Sequence, residues 1–253
     1  MSFEQSAATA PPVGSPAQPP ASSALPLPLA GEDQARADFY ALVASLLLAA
    51  PGAGLLSALA QAEPVSASGE FALEDAWLKL TQAASVVDAD AVADEFSGIF
   101  LSTGDPLVNP FGSFYQTGHL NDYPLVQLRH DLASLRLART PGVGESEDHL
   151  GALCETMRML IQGAPGVARQ PLLMQKQFFE THLRPWYAAC LADIAKAEGA
   201  NFYRVVAAVA DAFLSIEAQA FAVLDAADFA GGETVPGSPE HAGEQPAAQA
   251  AAA

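Results

Sequence analysis

Basic residues are scarce in this chain: 11 Lys and Arg stand against 29 Asp and Glu, a formal charge of −18 at pH 7. That field repels a phosphate backbone, so nucleic acid is excluded as a partner. Cationic peptides or protein patches are favoured instead, with a steering that salt weakens. Cysteine is nearly absent. Cys154 and Cys190 cannot build a disulfide framework, and both fall on apolar helical stripes, as buried thiols of a reducing compartment do. No Lys or Arg precedes Arg36. A secretory signal needs a basic n-region and a twin-arginine signal needs its Arg pair, so a cytoplasmic protein is expected. The uncharged run 39–60 is about long enough to span a bilayer, but Pro51-Gly52-Ala53-Gly54 interrupts it. A buried helix over 33–49, a turn and a short helix from Leu55 account for it without stable membrane insertion.

Strand alternation and fixed-period repeats are also missing. So are G-x-S-x-G, a Walker loop, a G-x-G-x-x-G fingerprint, H-E-x-x-H and Cys-x-x-Cys. Five histidines (119, 130, 149, 182 and 241) are scattered without local ligand pairs. No metal, no cofactor and no catalytic centre is expected.

Helical periodicity fills the remainder. Pro, Ala and Ser dominate 1–31, and Gly, Pro and Ala dominate 231–253, so both are expected to be disordered tails around a folded domain over 32–230. Within it, Trp77, Leu80, Ala84 and Val87 mark one helix, and Val92, Phe96, Ile99 and Phe100 another. Leu125, Leu128, Leu132 and Leu135 mark a third, and Leu150, Leu153, Cys154, Met157 and Leu160 a fourth. A long helix follows from Phe179 to Ile194, kinked at Pro185, and a last one runs from Phe202 to Leu224. The fold class is all-α, a single-domain helical bundle or globule. Its longest irregular stretch, 102–118, carries Phe111, Phe114 and Tyr115, and a loop that long inside a compact domain is usually functional.

The richest stretch is 145–160, where the charged run Glu145-Ser-Glu-Asp-His149 meets an amphipathic helix. Ser146 is expected as N-cap, with Glu147 and Asp148 in the first turn, where the helix dipole favours negative charge. Read blandly, this is a well-capped core helix. Read functionally, Glu145, Glu147 and Asp148, with Asp94-Glu95 as a second acidic pair, take arginine side chains bidentately beside an apolar groove.

Four blocks, in order, resemble the TorD/DmsD-type redox-enzyme maturation chaperones, also called twin-arginine proofreading chaperones. They are Asp94-Glu-Phe-Ser-Gly-Ile-Phe-Leu101, Asn109-Pro-Phe-Gly-Ser-Phe-Tyr115, Glu145-Ser-Glu-Asp-His-Leu150 and Phe178-Phe-Glu-Thr-His-Leu-Arg-Pro-Trp186, with a closing helix at Phe202-Tyr203. Glu147 stands where the family usually has Pro. The resemblance implies an all-α chaperone that binds the twin-arginine signal peptide, and part of the mature domain, of a molybdenum-cofactor oxidoreductase precursor. It implies that Asp148 and His149 lie in the signal-peptide loop and that Ser113 and Tyr115 belong to the family's other block. Glu147 is a further source of charge. Phe111, Phe114, Tyr115 and Trp77 are candidates for the groove, and Tyr40 for a further contact, although aromatics at helical spacing also belong to cores. Homodimerisation by domain exchange is within the family's repertoire. The alternatives are a helical enzyme or nucleotide-binding protein using Asp148 with His149, and a plain acidic scaffold.

Overall fold

The structure, a computed structural model, describes residues 29–65, 70–101, 106–137 and 145–231, with side chains described as far as Leu224. The described residues form ten helices and no strand. In chain order they are α1 (Gly31–Leu48), α2 (Ala53–Ala60), α3 (Phe71–Val86), α4 (Ala89–Phe100) and α5 (Gly112–Thr117). Then come α6 (Tyr123–Ser134), α7 (Leu150–Gln162), α8 (Leu172–His182), α9 (Tyr187–Lys196) and α10 (Phe202–Gly231). The all-α reading holds. The expected tails fall outside the described residues apart from 29–31 and 231, as do residues 102–105 of the stretch expected to be irregular.

The core is built from apolar stripes at helical spacing. α1 contributes Ala37, Tyr40, Val43, Ala44 and Leu47, and packs mainly on α7 through Leu150, Leu153, Cys154, Met157 and Leu160. Gly151 lets these two helices approach: a Cβ there would lie 2.8 Å from Leu48 Cγ and 3.2 Å from the Ala44 carbonyl oxygen. α10 runs through the centre against α3 and α9, burying Phe202, Tyr203, Val206, Ala210, Phe213, Leu214 and Phe221. Over Phe202–Leu224 it is long and apolar enough to cross a membrane by length and composition, but its inner face is the core of the bundle. The run 39–60 is indeed two helices, α1 and α2, on either side of Pro51.

Two expectations need correction. The helix kinked at Pro185 is two helices, α8 and α9, joined by a turn over 183–186. Proline lacks an amide hydrogen and its ring clashes with the preceding turn, and here that ends the helix instead of bending it. Trp186 takes up the break, its indole N–H donating to the His182 carbonyl at 2.7 Å. The stretch 102–118 is not irregular to its end, because Gly112–Thr117 forms α5. Gly112 is required there: a Cβ would lie 3.0 Å from the Trp186 indole nitrogen.

Candidate functional site

The helix start at α7 and the loop before α5 are clamped together backbone to backbone. The Gly112 amide donates to the Asp148 carbonyl, and the Leu150 amide to the Pro110 carbonyl, both at 2.8 Å. This short antiparallel bridge, Phe111 against His149, holds His149 extended after a turn at 147–148, so the helix begins only at Leu150. Ser146 is therefore not the N-cap, and Glu147 and Asp148 lie ahead of the first turn instead of within it. The cap is His149, whose Nδ1 accepts from the Gly151 amide at 3.0 Å.

Asp148 faces the other way. Its Oδ2 accepts from the Ser113 amide at 2.8 Å and from the Ser113 hydroxyl at 2.6 Å, so it caps α5 across the chain. Ser113 Oγ in turn accepts from the Asn121 amide at 3.1 Å. Both side chains are buried, Ser113 at 0% and Asp148 at 3% exposure. Asp148 and His149 thus form no dyad with each other, which removes the geometry that an acid–base reading needs.

His149 keeps one ring nitrogen free of the clamp. With Nδ1 used as an acceptor, the neutral ring carries its proton on Nε2, and that N–H has no partner among the described residues. Burial pushes the imidazole pKa down to about 4, against a smaller opposing pull from the Asp148 charge, so the ring is neutral at physiological pH. Phe111 meets it edge to face at 5.1 Å between centroids. Together they border a slot of about 290 Å³ between the ends of α1 and α4. Leu47, Leu48, Ala49 and Ala50 wall it on one side, and Phe96, Phe100, Leu101 and Pro110 on the other, with Glu145 and His149 as its polar edge. Glu145 makes no hydrogen bond or ion pair among the described residues. The slot therefore joins apolar walls to one carboxylate, Glu145, and one ring N–H, that of His149.

The other expected site residues are distributed. Glu147 is held bidentately by Arg129, at 3.1 and 2.8 Å, on a pair whose arginine is half exposed. Tyr115 stacks on Trp186 at 5.6 Å and donates to Asp193 at 2.9 Å, fastening α5 to α9, and Phe114 packs edge-on against Tyr115. Trp77 lies away from the clamp, packed on Phe39, its indole N–H donating to the Glu63 carbonyl. Tyr40 is fully buried and donates to Glu217 Oε2 at 3.0 Å. Glu95, read as half of an acidic binding pair, caps α10: it accepts from the amides of Asn201, Phe202 and Tyr203 at 2.8, 3.1 and 2.7 Å. Both cysteines are buried, and burial pushes their thiols well above the usual range. The end of α1 was not legible as slot wall, because only packing against α4 and the clamp gives it that role.

The described residues thus form an all-helical domain in which a loop is clamped over a helix start beside an apolar slot with a polar edge. Residues 69–192 match the family model described as nitrate reductase delta subunit. Through this region the chain belongs to the redox-enzyme maturation chaperones. These are molybdoenzyme maturation chaperones and not enzymes, and they bind nitrate reductase-type molybdoenzyme subunits. The matched region carries both sides of the clamp, with His149, and Trp186. No curated protein matches the chain.

Proposed function

We propose that the protein binds the twin-arginine signal peptide of a molybdenum-cofactor oxidoreductase precursor in the slot beside His149. It holds the apoprotein in the cytoplasm until the cofactor is inserted and then releases it for export. The observation that carries this reading is the neutral, buried His149 with an unused Nε2–H at the edge of an apolar slot. That N–H opens to the slot, where a peptide carbonyl can replace water as its partner at a net gain of about 0.5–1.5 kcal/mol. Glu145 supplies the counter-charge for an arginine, and the apolar stretch of the signal supplies the side chain that fills the slot. Asp148 keeps the clamp closed and so positions His149, while Glu147 can exchange its half-exposed Arg129 for an arginine of the peptide.

The test is a pull-down from the native cytoplasm with the full chain as bait, followed by mass spectrometry. Recovery of a precursor that still carries its signal is expected, and Glu145→Lys should lose it while melting at the parent temperature. Recovery of mature oxidoreductase alone, or of no oxidoreductase, would overturn the signal-peptide reading.

A further inference from the structure

A second concave surface lies outside the clamp, between α1, α3 and α10. Its main hollow, about 620 Å³, has an apolar floor that includes Phe39, Leu73, Phe213 and Phe221. A further hollow of about 350 Å³ continues it along α10, the two sharing Glu70 and Ile216. Ala208, Ala212, Ile216 and Ala220 recur every fourth residue along this face, a low ridge against which another helix can seat closely. From Ala208 to Leu224 the lined length is about 24 Å, that of a helix of about 16 residues at 1.5 Å per residue. At one end Leu172 stays 43% exposed, and the neighbouring Leu173 extends the apolar surface.

The charge of the groove is one-sided. Its two cations are already used within the protein: Arg36 grips Glu217 bidentately at 2.8 Å and also reaches Asp33, and Lys79 pairs with Asp75. Glu32, Glu70 and Asp211 remain in surplus on the rim. Burial raises the Asp211 pKa with no neighbouring cation offsetting it.

We propose that this groove is the docking surface for a cationic amphipathic helix of the client polypeptide, its apolar face on the α10 ridge and its Lys or Arg flank on Glu32, Glu70 and Asp211. The proposal takes the client from the chaperone reading, and the groove from geometry and charge. The helix-in-groove mode needs apolar anchors at i, i+3/i+4 and i+7, which a surface of this length accommodates.

The experiment uses the full chain and a labelled synthetic 20-residue peptide with a Leu/Ala face and a lysine flank, without the adjacent arginine pair that the slot would take. Because Cys154 and Cys190 are buried, Ala220→Cys reports the groove and Leu101→Cys the slot, each by cross-linking to a thiol-reactive group on the peptide. Cross-linking at position 220 is expected. So is a loss of affinity of about tenfold in Glu70→Lys/Asp211→Lys, with a weakening as salt rises, while a charge reversal at the exposed Glu198, outside both the groove and the slot, has no effect. Cross-linking at 101 alone, or unchanged affinity in the double variant, overturns the groove and leaves the signal-peptide reading standing. Capture at 220 only after removal of residues 1–28 assigns the groove to the chain's own N-terminal segment and also overturns the proposal. Failure of the chaperone reading shows separately, as absence of a precursor from the pull-down.

Discussion

Asp148→Ala tests whether this carboxylate is a clamp or a free anion. Its Oδ2 accepts both the amide and the hydroxyl of Ser113, inside a region from which water is excluded. Truncation strands two donors, at about 1–3 kcal/mol each, and the hydroxyl can rotate to recover part of its share. A loss of about 2–4 kcal/mol follows. For a domain of this size one kcal/mol shifts Tm by about 2–4 °C, so the variant should melt about 5–15 °C lower. Asp148→Asn is the sharper probe. Because both bonds converge on one oxygen, an amide oxygen in the same place keeps both and forfeits only the charge assistance. Its loss should be about half that of the alanine variant. A thermal melt at neutral pH reads both. The reasoning fails if Asp148→Ala melts within about 1 °C of the parent. It fails equally if Asp148→Asn keeps the parent Tm while losing client binding, since the carboxylate would then act as a direct anchor for arginine.

His149 makes stability pH-dependent. Its folded pKa, about 4, lies below the unfolded value of about 6.5, so its contribution is complete above the higher value and is lost as pH falls between the two. The slope is about 1.4 kcal/mol per pH unit, roughly 3 kcal/mol in all, and urea melts from pH 7.5 to 4 should flatten by about one proton in His149→Asn, which can still cap. Glu95→Ala strands three amides at the start of α10 and should lower stability by about 2–3 kcal/mol in denaturant melts. Gly151→Ala would drive a methyl into Leu48 Cγ, at about 1–3 kcal/mol. Because Leu48 walls the slot, peptide affinity measured by titration should fall as well; an unchanged affinity would separate the slot from binding.

The helices were legible because burial imposes a 3.6-residue period that composition alone reveals: the α7 stripe Leu150, Leu153, Cys154, Met157 and Leu160 is buried throughout. What failed were ends and partners. The start of α7 is displaced to Leu150 because Pro110 and Gly112, more than thirty residues away in sequence, take its backbone groups. Glu95 reads as surface charge, and only the fold brings the start of α10, more than a hundred residues later, onto its carboxylate. Asp148 and His149 were singled out together, but the fold divides them: Asp148 sits in a turn and caps α5, while His149 is extended and caps α7. Local sequence shows that a residue can cap or pair. Which end it caps is decided by non-local packing.

The distribution of charge extends that argument to recognition. Arg36, Lys79, Arg129, Arg158 and Arg184 are each paired to a carboxylate of the same molecule, the last two with Glu155 and Glu180 at one helical turn. With only 11 basic residues in the chain, such pairing leaves the outward field to the acidic surplus. Apart from the buried Arg36–Glu217 pair, these exposed or half-exposed pairs contribute little to stability, about 0–1 kcal/mol each. Their larger effect is to remove competing cations from the surfaces that a basic segment would approach. The slot keeps Glu145 and the α10 groove keeps Glu32, Glu70 and Asp211, each beside apolar walls that the described residues leave uncovered. A polypeptide that is both apolar and basic satisfies both surfaces, whereas an acidic or uniformly polar one satisfies neither. Selectivity of this kind rests on the arrangement of the whole surface, so reversing Glu70 and Asp211 should alter partner choice more than it alters folding.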